Sequence, residues 1–310
     1  MMTLEEFYEK LDTYYEGGDV EGAENFLKQT ARLMQPCCGG FNELHLSSIS
    51  ELGGLYRAVS RYADAVSMFR VAEDMILQHL GSESVEYATN ANNVAGAYRL
   101  MGDYDNAAVY FNKAKTAYEQ TVGTENYMYS SMLNNIALLK NDTGDVEGAI
   151  EYTERALAAV ENMEGADEEV ATSYVNLAAL YKKAGQDGKA HESIDKALEL
   201  FAKIPGSSHY PAALNGKASI CFMDGDYTKA AELYREALEK VKALFGENIE
   251  FAIANENLAK ALMRTGDAEG AKQHMKQAEE TYTKIYGAGH EKSDAIKEEL
   301  KALENTECKL

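Results

Sequence analysis

Small and apolar residues return along this 310-residue chain in blocks, and the blocks themselves repeat. "MGDYDNAAVYFNKA" at 101 comes back in part as "TGDVEGAIEYTERA" at 143 and "DGDYTKAAELYREA" at 224. Placed in register, Gly18, Gly102, Gly144, Gly185, Gly225 and Gly266, with Ser60 in the remaining place, form a ladder whose steps are 40 to 42 residues. A second ladder, Gly39, Gly81, Gly123, Gly165, Gly206, Gly246 and Gly287, follows each rung of the first by 21 residues. Length variation therefore falls in one loop per repeat, between the second glycine and the next first one.

Each repeat is predicted to be a helix, a tight turn and a second helix. Glycine takes the left-handed conformation that ends one helix, and an aspartate after it caps the next, as Asp19, Asp103, Asp145, Asp226 and Asp267 can do. Pro36, Pro205 and Pro211 lie in or beside the stretches after second helices, where a missing N–H does least harm. The repeats run over about 3–39, 43–81, 85–123, 127–165, 168–206, 208–246 and 249–287 in a single domain spanning 1–310.

Small residues mark where the two helices of a pair must cross. Gly53, Ala95, Ala137, Ala178, Ala218 and Ala259 stand seven residues before the turn. Ala23, Ala65, Ala107, Ala149, Ala190, Ala230 and Ala271 stand five after it. Hydrogen or methyl at these places lets antiparallel backbones approach closely. A third small position, Ala72, Ala114, Ala156, Ala197, Ala237 and Ala278, faces the following repeat. Tyr56, Tyr98 and Tyr181 on first helices, with Phe69, Phe111 and Tyr234 on second helices, fill the space between.

This arrangement resembles the tetratricopeptide repeat over about residues 3 to 304, in a form longer than that family's usual 34-residue period. It is similar to the repeats of kinesin light chains, down to the "NLA" of "VNLAALYKKAG" and "NENLAKALMRTG". The resemblance implies an all-α solenoid, a right-handed superhelix of antiparallel helix pairs. The segment at about 290–304, with Ile296, Leu300 and Leu303 on one face, supplies a capping helix without a partner. Ser60 for glycine, Lys140 and Cys221 for the usual aromatic, and Leu11 for a small residue depart from the pattern.

The resemblance also implies that first helices line a concave groove holding an extended peptide or a partner's helix. Nine residues before the turn stand Glu9, Glu51, Asn93, Asn135, Asn176, Gly216 and Asn257, and two of the asparagines are doubled, as Asn92-Asn93 and Asn134-Asn135. Asparagine inside a helix costs up to about 0.7 kcal/mol relative to alanine, so four of them forgo about 2–3 kcal/mol. Either the amides read the main chain of a bound peptide, the part this position plays in kinesin-light-chain-like grooves, or they bond across adjacent repeats and order the stack. The inward positions also carry Arg57, Arg99, Lys182, Lys183, Lys260 and Arg264 against Glu51, Asp142 and Glu256, an excess of three positive charges suited to an acidic peptide. The first copy instead offers Glu5, Glu9, Asp12 and Glu16 and reads as a solvated cap. Where chaperone-binding relatives clamp a terminal carboxylate with lysine and arginine, this chain has Ser131 with Asn135, Thr172 with Asn176, and Ile253 with Asn257, so that clamp is not expected.

Composition narrows the partners. A formal charge of −21 disfavours nucleic acid and anionic membrane surfaces, which bind through lysine and arginine. No apolar run reaches membrane-spanning length and the N-terminal stretch is acidic, which points to a cytoplasmic protein. Cys37, Cys38, Cys221 and Cys308 follow neither a disulfide nor a metal-ligand spacing, and the adjacent pair in "QPCCGG" reads as loop. No HExxH, GxSxG, P-loop or GxGxxG motif occurs, the histidines do not cluster, and "GAGHEKS" belongs to the second glycine ladder, so neither catalysis nor a cofactor is expected. The expected function is a non-enzymatic interaction scaffold. A peptide-sensing regulator is a second reading, although the first ladder reaches Gly18 and leaves no N-terminal effector module, and a self-assembling homo-oligomer is a third. The crossing generates a test: Ala107→Leu overpacks it and costs about 1–3 kcal/mol, read as a lowered thermal midpoint, whereas an unchanged midpoint would refute the register.

Overall fold

The computed structural model describes residues 2–36, 40–204, 206–287 and 289–307, with side chains as far as Lys301. Cys37, Cys38, Gly39, Pro205, Cys308 and the side chain of Leu303 lie outside the described residues. Among those described, the chain forms helices and no strand. They come in pairs: α1 (Leu4–Glu16) with α2 (Val20–Met34), α3 (Glu43–Ala58) with α4 (Tyr62–His79), α5 (Val85–Leu100) with α6 (Tyr104–Thr121), and α7 (Tyr127–Asp142) with α8 (Val146–Ala158). Then follow α9 (Asp167–Lys183) with α10 (Asp187–Phe201), α11 (Tyr210–Met223) with α12 (Tyr227–Phe245), α13 (Ile249–Thr265) with α14 (Ala268–Tyr286), and the unpaired α15 (Glu291–Glu307). The sequence predicts a single domain, and contacts within the chain gather into two compact units, Met1–Asn162 and Met163–Leu310. Each is all-α and built of tandem antiparallel helix pairs, the architecture of the α-solenoid class.

The turns form as the glycine ladder requires. Gly18, Gly102, Gly144, Gly185, Gly225 and Gly266 all have φ between 66° and 89°. At Gly102 the amide of Asp103 donates to the carbonyl of Tyr98 at 3.0 Å and that of Gly102 to Arg99 at 3.0 Å, the two closing bonds of a Schellman turn. Ser60 keeps the same fold at φ 62°, the one positive-φ residue other than glycine among the described residues. Its turn closes identically, Arg61 N to Tyr56 O at 2.8 Å and Ser60 N to Arg57 O at 3.2 Å.

All five turn aspartates cap their second helices. Asp19, Asp103, Asp145, Asp226 and Asp267 each accept from the backbone N–H three residues on. Each such cap stabilises its helix by about 1 kcal/mol. Where the aspartate is missing, at Arg61 and Gln186, no side-chain cap forms. First helices carry caps as well: Asn42, Ser84, Asn126 and Asn248, each 18 residues before its turn, accept from their third helical N–H.

Packing follows the small positions. Ala65, Ala107, Ala190, Ala230 and Ala271 after the turns, and Ala72, Ala114, Ala156, Ala197, Ala237 and Ala278 further on, are all fully buried. At Gly53 the crossing is tighter still, since a Cβ there would lie 2.6 Å from the Phe69 ring. Phe7, Leu27, Phe69, Phe111 and Met132 anchor the core of the first unit. In the second unit Leu258, Met275 and Tyr282 form a cluster that Ile296 of α15 joins, with Leu300 packed against it, so this terminal helix docks by the apolar face the sequence indicates. The departures are absorbed locally: Leu11 is buried, Lys140 turns to its own capping Asp145 at 2.9 Å, and Cys221 is a buried free thiol.

Two expected outcomes follow from this packing. Replacing Ser60 by glycine relieves a left-handed residue bearing a Cβ and stabilises the chain by about 0.5–1 kcal/mol after the unfolded-state entropy of glycine is counted. An unchanged or lower thermal midpoint would mean that the bond from the Tyr62 hydroxyl to Ser60 Oγ, at 3.1 Å, outweighs the strain. The second concerns His274, whose ring Nδ1 is 2.8 Å from Asn255 Oδ1 and whose pKa is lowered by burial and then by Arg235. A depressed histidine pKa means that the unfolded chain binds the proton more readily. The stability this ring contributes is therefore full above the ordinary histidine pKa of about 6.5 and is lost as pH falls below it. His274→Gln should flatten the fall in thermal midpoint between neutral and mildly acidic pH; an identical pH profile would refute the assignment.

Candidate functional site

The first-helix positions singled out in the sequence separate into two kinds. In the first unit they bond to one another across neighbouring repeats. Asn135 Nδ2 on α7 donates to Asn92 Oδ1 on α5 at 3.2 Å, and Arg57 Nη1 on α3 reaches Asn93 Oδ1 at 3.5 Å. Arg99 Nη1 pairs with Asp142 at 2.6 Å, while its buried Nε has no hydrogen-bond partner. Asn134 Oδ1 is likewise buried and unpaired. Two of these contacts, Asn135 with Asn92 and Arg57 with Asn93, join first helices of neighbouring repeats.

In the second unit the corresponding amides are left open. Asn176 is exposed on α9 and Asn257 half-buried on α13, and neither bonds another described residue. The cations there are engaged. Lys182 bridges Asp187, at 2.9 Å, and Asp224, and Asp224 also lies 2.7 Å from His191 Nε2. The Asp224 carboxyl is held below the usual range chiefly by Lys182. Lys260 pairs with Glu256 at 2.5 Å. Burial works to raise the Glu256 pKa, but Lys260, Lys292 and the Tyr282 hydroxyl together hold it down. Arg264 donates to the Tyr227 hydroxyl and lies 4.2 Å from the centre of that ring. Lys183 is exposed. Arg99, Lys182 and Lys260 thus have carboxylate partners: those of Arg99 and Lys260 belong to the inward count, and Asp187 and Asp224 beside Lys182 do not.

Two cavities adjoin these positions. One, of 320 Å³ in the second unit, opens between α9 and α11 and is walled by Val175, Ala178, Ile194, Ile220 and Met223, with Lys182 and Lys183 also lining it. Its entrance exists because Gly216 stands in the register place that asparagine fills in four other copies. The other, of 430 Å³ in the first unit, lies among α1, α3 and α5 and holds Glu51, Arg57, Asn90 and Asn93. Asn90 and Gly216 are residues that sequence reasoning passed over. So is Asn215, whose buried Oδ1 is unpaired. Its signal was available, because it shares the register of Asn92 and Asn134. Among the described residues no group of three histidine, cysteine or acidic side chains is placed to hold a metal, and no helix is long and apolar enough to cross a membrane.

Comparison with known proteins agrees with this geometry. No curated protein sequence matches the chain. Among solved structures, BtubC (BKLC) from P. vanneervenii is 26% identical with a TM-score of 0.59, over 66% of this chain and 82% of that one. A tetratricopeptide repeat protein from Parabacteroides merdae is 20% identical with a TM-score of 0.59, over 96% of this chain and 98% of that one. A putative kinesin light chain with nearly identical TPR-like repeats from Podosopora anserina is 21% identical with a TM-score of 0.54, over 66% of this chain and 97% of that one. Tetratricopeptide repeat models match residues 86–162, 128–203, 169–243 and 256–291. With paired helices, left-handed turns and small crossing residues recurring along its length, the chain belongs to the tetratricopeptide repeat family.

Proposed function

We propose that the chain is a non-enzymatic interaction scaffold that holds an extended segment of a partner protein against the first helices of its repeats. The observation that carries this reading is the apolar cavity at Gly216, on the face of α9 and α11. A Cβ at Gly216 would come no closer than 3.4 Å to Ile194 Cδ1, so the glycine is not demanded by packing. What it borders is an open apolar recess, one residue along α9 from Asn176 at Val175. A large apolar side chain of a peptide would fill the recess, and the Asn176 amide would hold the main chain beside it. This deepens the expectation of an extended ligand. It shifts the basis for an acidic one, because Arg99, Lys182 and Lys260 already have carboxylate partners while Arg57 forms no ion pair among the described residues. An acidic group of the partner would go to Arg57.

A displayed library of random linear peptides, selected on the wild type, should enrich a motif built around a large apolar residue. Gly216→Leu fills the recess from within and should abolish that enrichment at an unchanged thermal midpoint. Asn176→Ala should weaken the selected peptide roughly 2- to 10-fold, the worth of one hydrogen bond. Selection that returns no motif, or a motif indifferent to Gly216→Leu, would overturn the reading.

A further inference from the structure

The cavity of the first unit carries opposite charges that the fold leaves uncompensated. Glu51 and Arg57 both line it and both rise from α3. Neither forms an ion pair with another described residue. They stand six residues apart on the helix, about 9 Å along its axis and turned by roughly 120° about it. Glu51 lies on the side of α1, where its neighbour in charge is Asp12. Arg57 lies on the side of α5, in a space that Gly96 keeps open: a Cβ at Gly96 would be 3.3 Å from Arg57 Nη1.

Both charges stand desolvated. Burial and then Asp12 push the Glu51 carboxyl up, and burial and then Arg99 push the Arg57 guanidinium down, so each lacks the opposite charge that would restore it. Between them the wall presents a third unsatisfied group. Asn90 is 4% exposed, its Nδ2 is held by the Phe69 carbonyl at 3.0 Å, and its Oδ1 has no hydrogen-bond partner. A buried acceptor left unmade costs about 1–3 kcal/mol. Gly54, with nothing within 4 Å of a Cβ position, leaves the middle of the cavity clear.

We infer that this cavity binds a partner segment carrying a basic and an acidic side chain about three to four residues apart, the basic group on Glu51 and the acidic group on Arg57. The spacing follows from the separation of the two charges and the rise of about 3.3 Å per residue of an extended chain. A wholly acidic segment would meet Glu51 and Asp12, and a wholly basic one would meet Arg57 and Arg99, so the two ends select jointly against both. The α1–α3 end, which reads from sequence as a solvated cap, becomes half of a recognition site. The inference rests on the peptide-binding reading above.

The same displayed library tests it. Peptides selected on the wild type should carry lysine or arginine three or four positions from aspartate or glutamate. Selection on Glu51→Gln should lose the basic preference alone, and selection on Arg57→Met the acidic preference alone, while Gly216→Leu should leave both in place. A synthetic peptide from the selection should lose about tenfold in affinity for the wild type when either charged residue is changed to alanine, a readout independent of whether the protein variants fold. A motif without the charged pair, or a pair whose loss follows Gly216→Leu instead, overturns this inference and leaves the scaffold reading standing. Selection that returns no motif from either cavity overturns both.

Discussion

How near two antiparallel backbones can come decides the rest of this structure. At Ala107, Ala190, Ala230 and Ala271 the crossing side chain is a buried methyl, and at Gly53 it is absent so that the Phe69 ring can lie against the backbone. Helices of 13 to 19 residues are marginal alone in water, and what stabilises them here is mutual burial along one face. Close crossing in turn demands a turn with no slack. The left-handed residue meets that demand by reversing the chain while satisfying the last carbonyls of one helix, and the aspartate after it satisfies the first amides of the next. Crossing, turn and cap form one device, repeated.

Charge is handled within the same device. The capping aspartates place negative charge at helix N-termini, where the helix dipole favours it. Other turn carboxylates reach out to first-helix cations: Asp224 and Asp187 take Lys182, and Asp142 takes Arg99. In a chain of net charge −21 most cations on these faces are thereby committed to the protein itself. Among the described residues, groups left uncommitted on these faces include Asn176 and Asn257 in one unit and Glu51 and Arg57, neither in an ion pair, in the other.

Legibility follows from how local each constraint is. Turn, cap and crossing depend on residues within a dozen positions of one another, so they stand out in the sequence, and even Ser60 adopts the φ that the ladder assigns it. The asparagines are less legible, because one register place has different fates. Asn135 finds Asn92 on the preceding first helix, whereas Asn176 bonds no other described residue, and that difference depends on neighbours about 40 residues away. Gly216 looks from sequence like an omission from the asparagine row, yet its missing side chain is what opens a cavity. The inward count also left out Asp187 and Asp224, which lie at the turns and reach Lys182. The first-helix caps at Asn42, Ser84, Asn126 and Asn248 were as legible as the turn aspartates, at a fixed offset, but they follow the loop of variable length, which draws attention away from them.

Arg57 gives the arrangement a thermodynamic character. Its guanidinium lies half-buried between α3 and α5 with one amide for company, because Gly96 leaves room for it. The cost of withdrawing this charge from water is met when the chain folds, not when a partner arrives. Under the proposed reading, a carboxylate docking there would lose its own hydration but would not have to strip or immobilise the arginine, so more of the interaction would appear as affinity. Stability surrendered in the free protein becomes discrimination in the bound one.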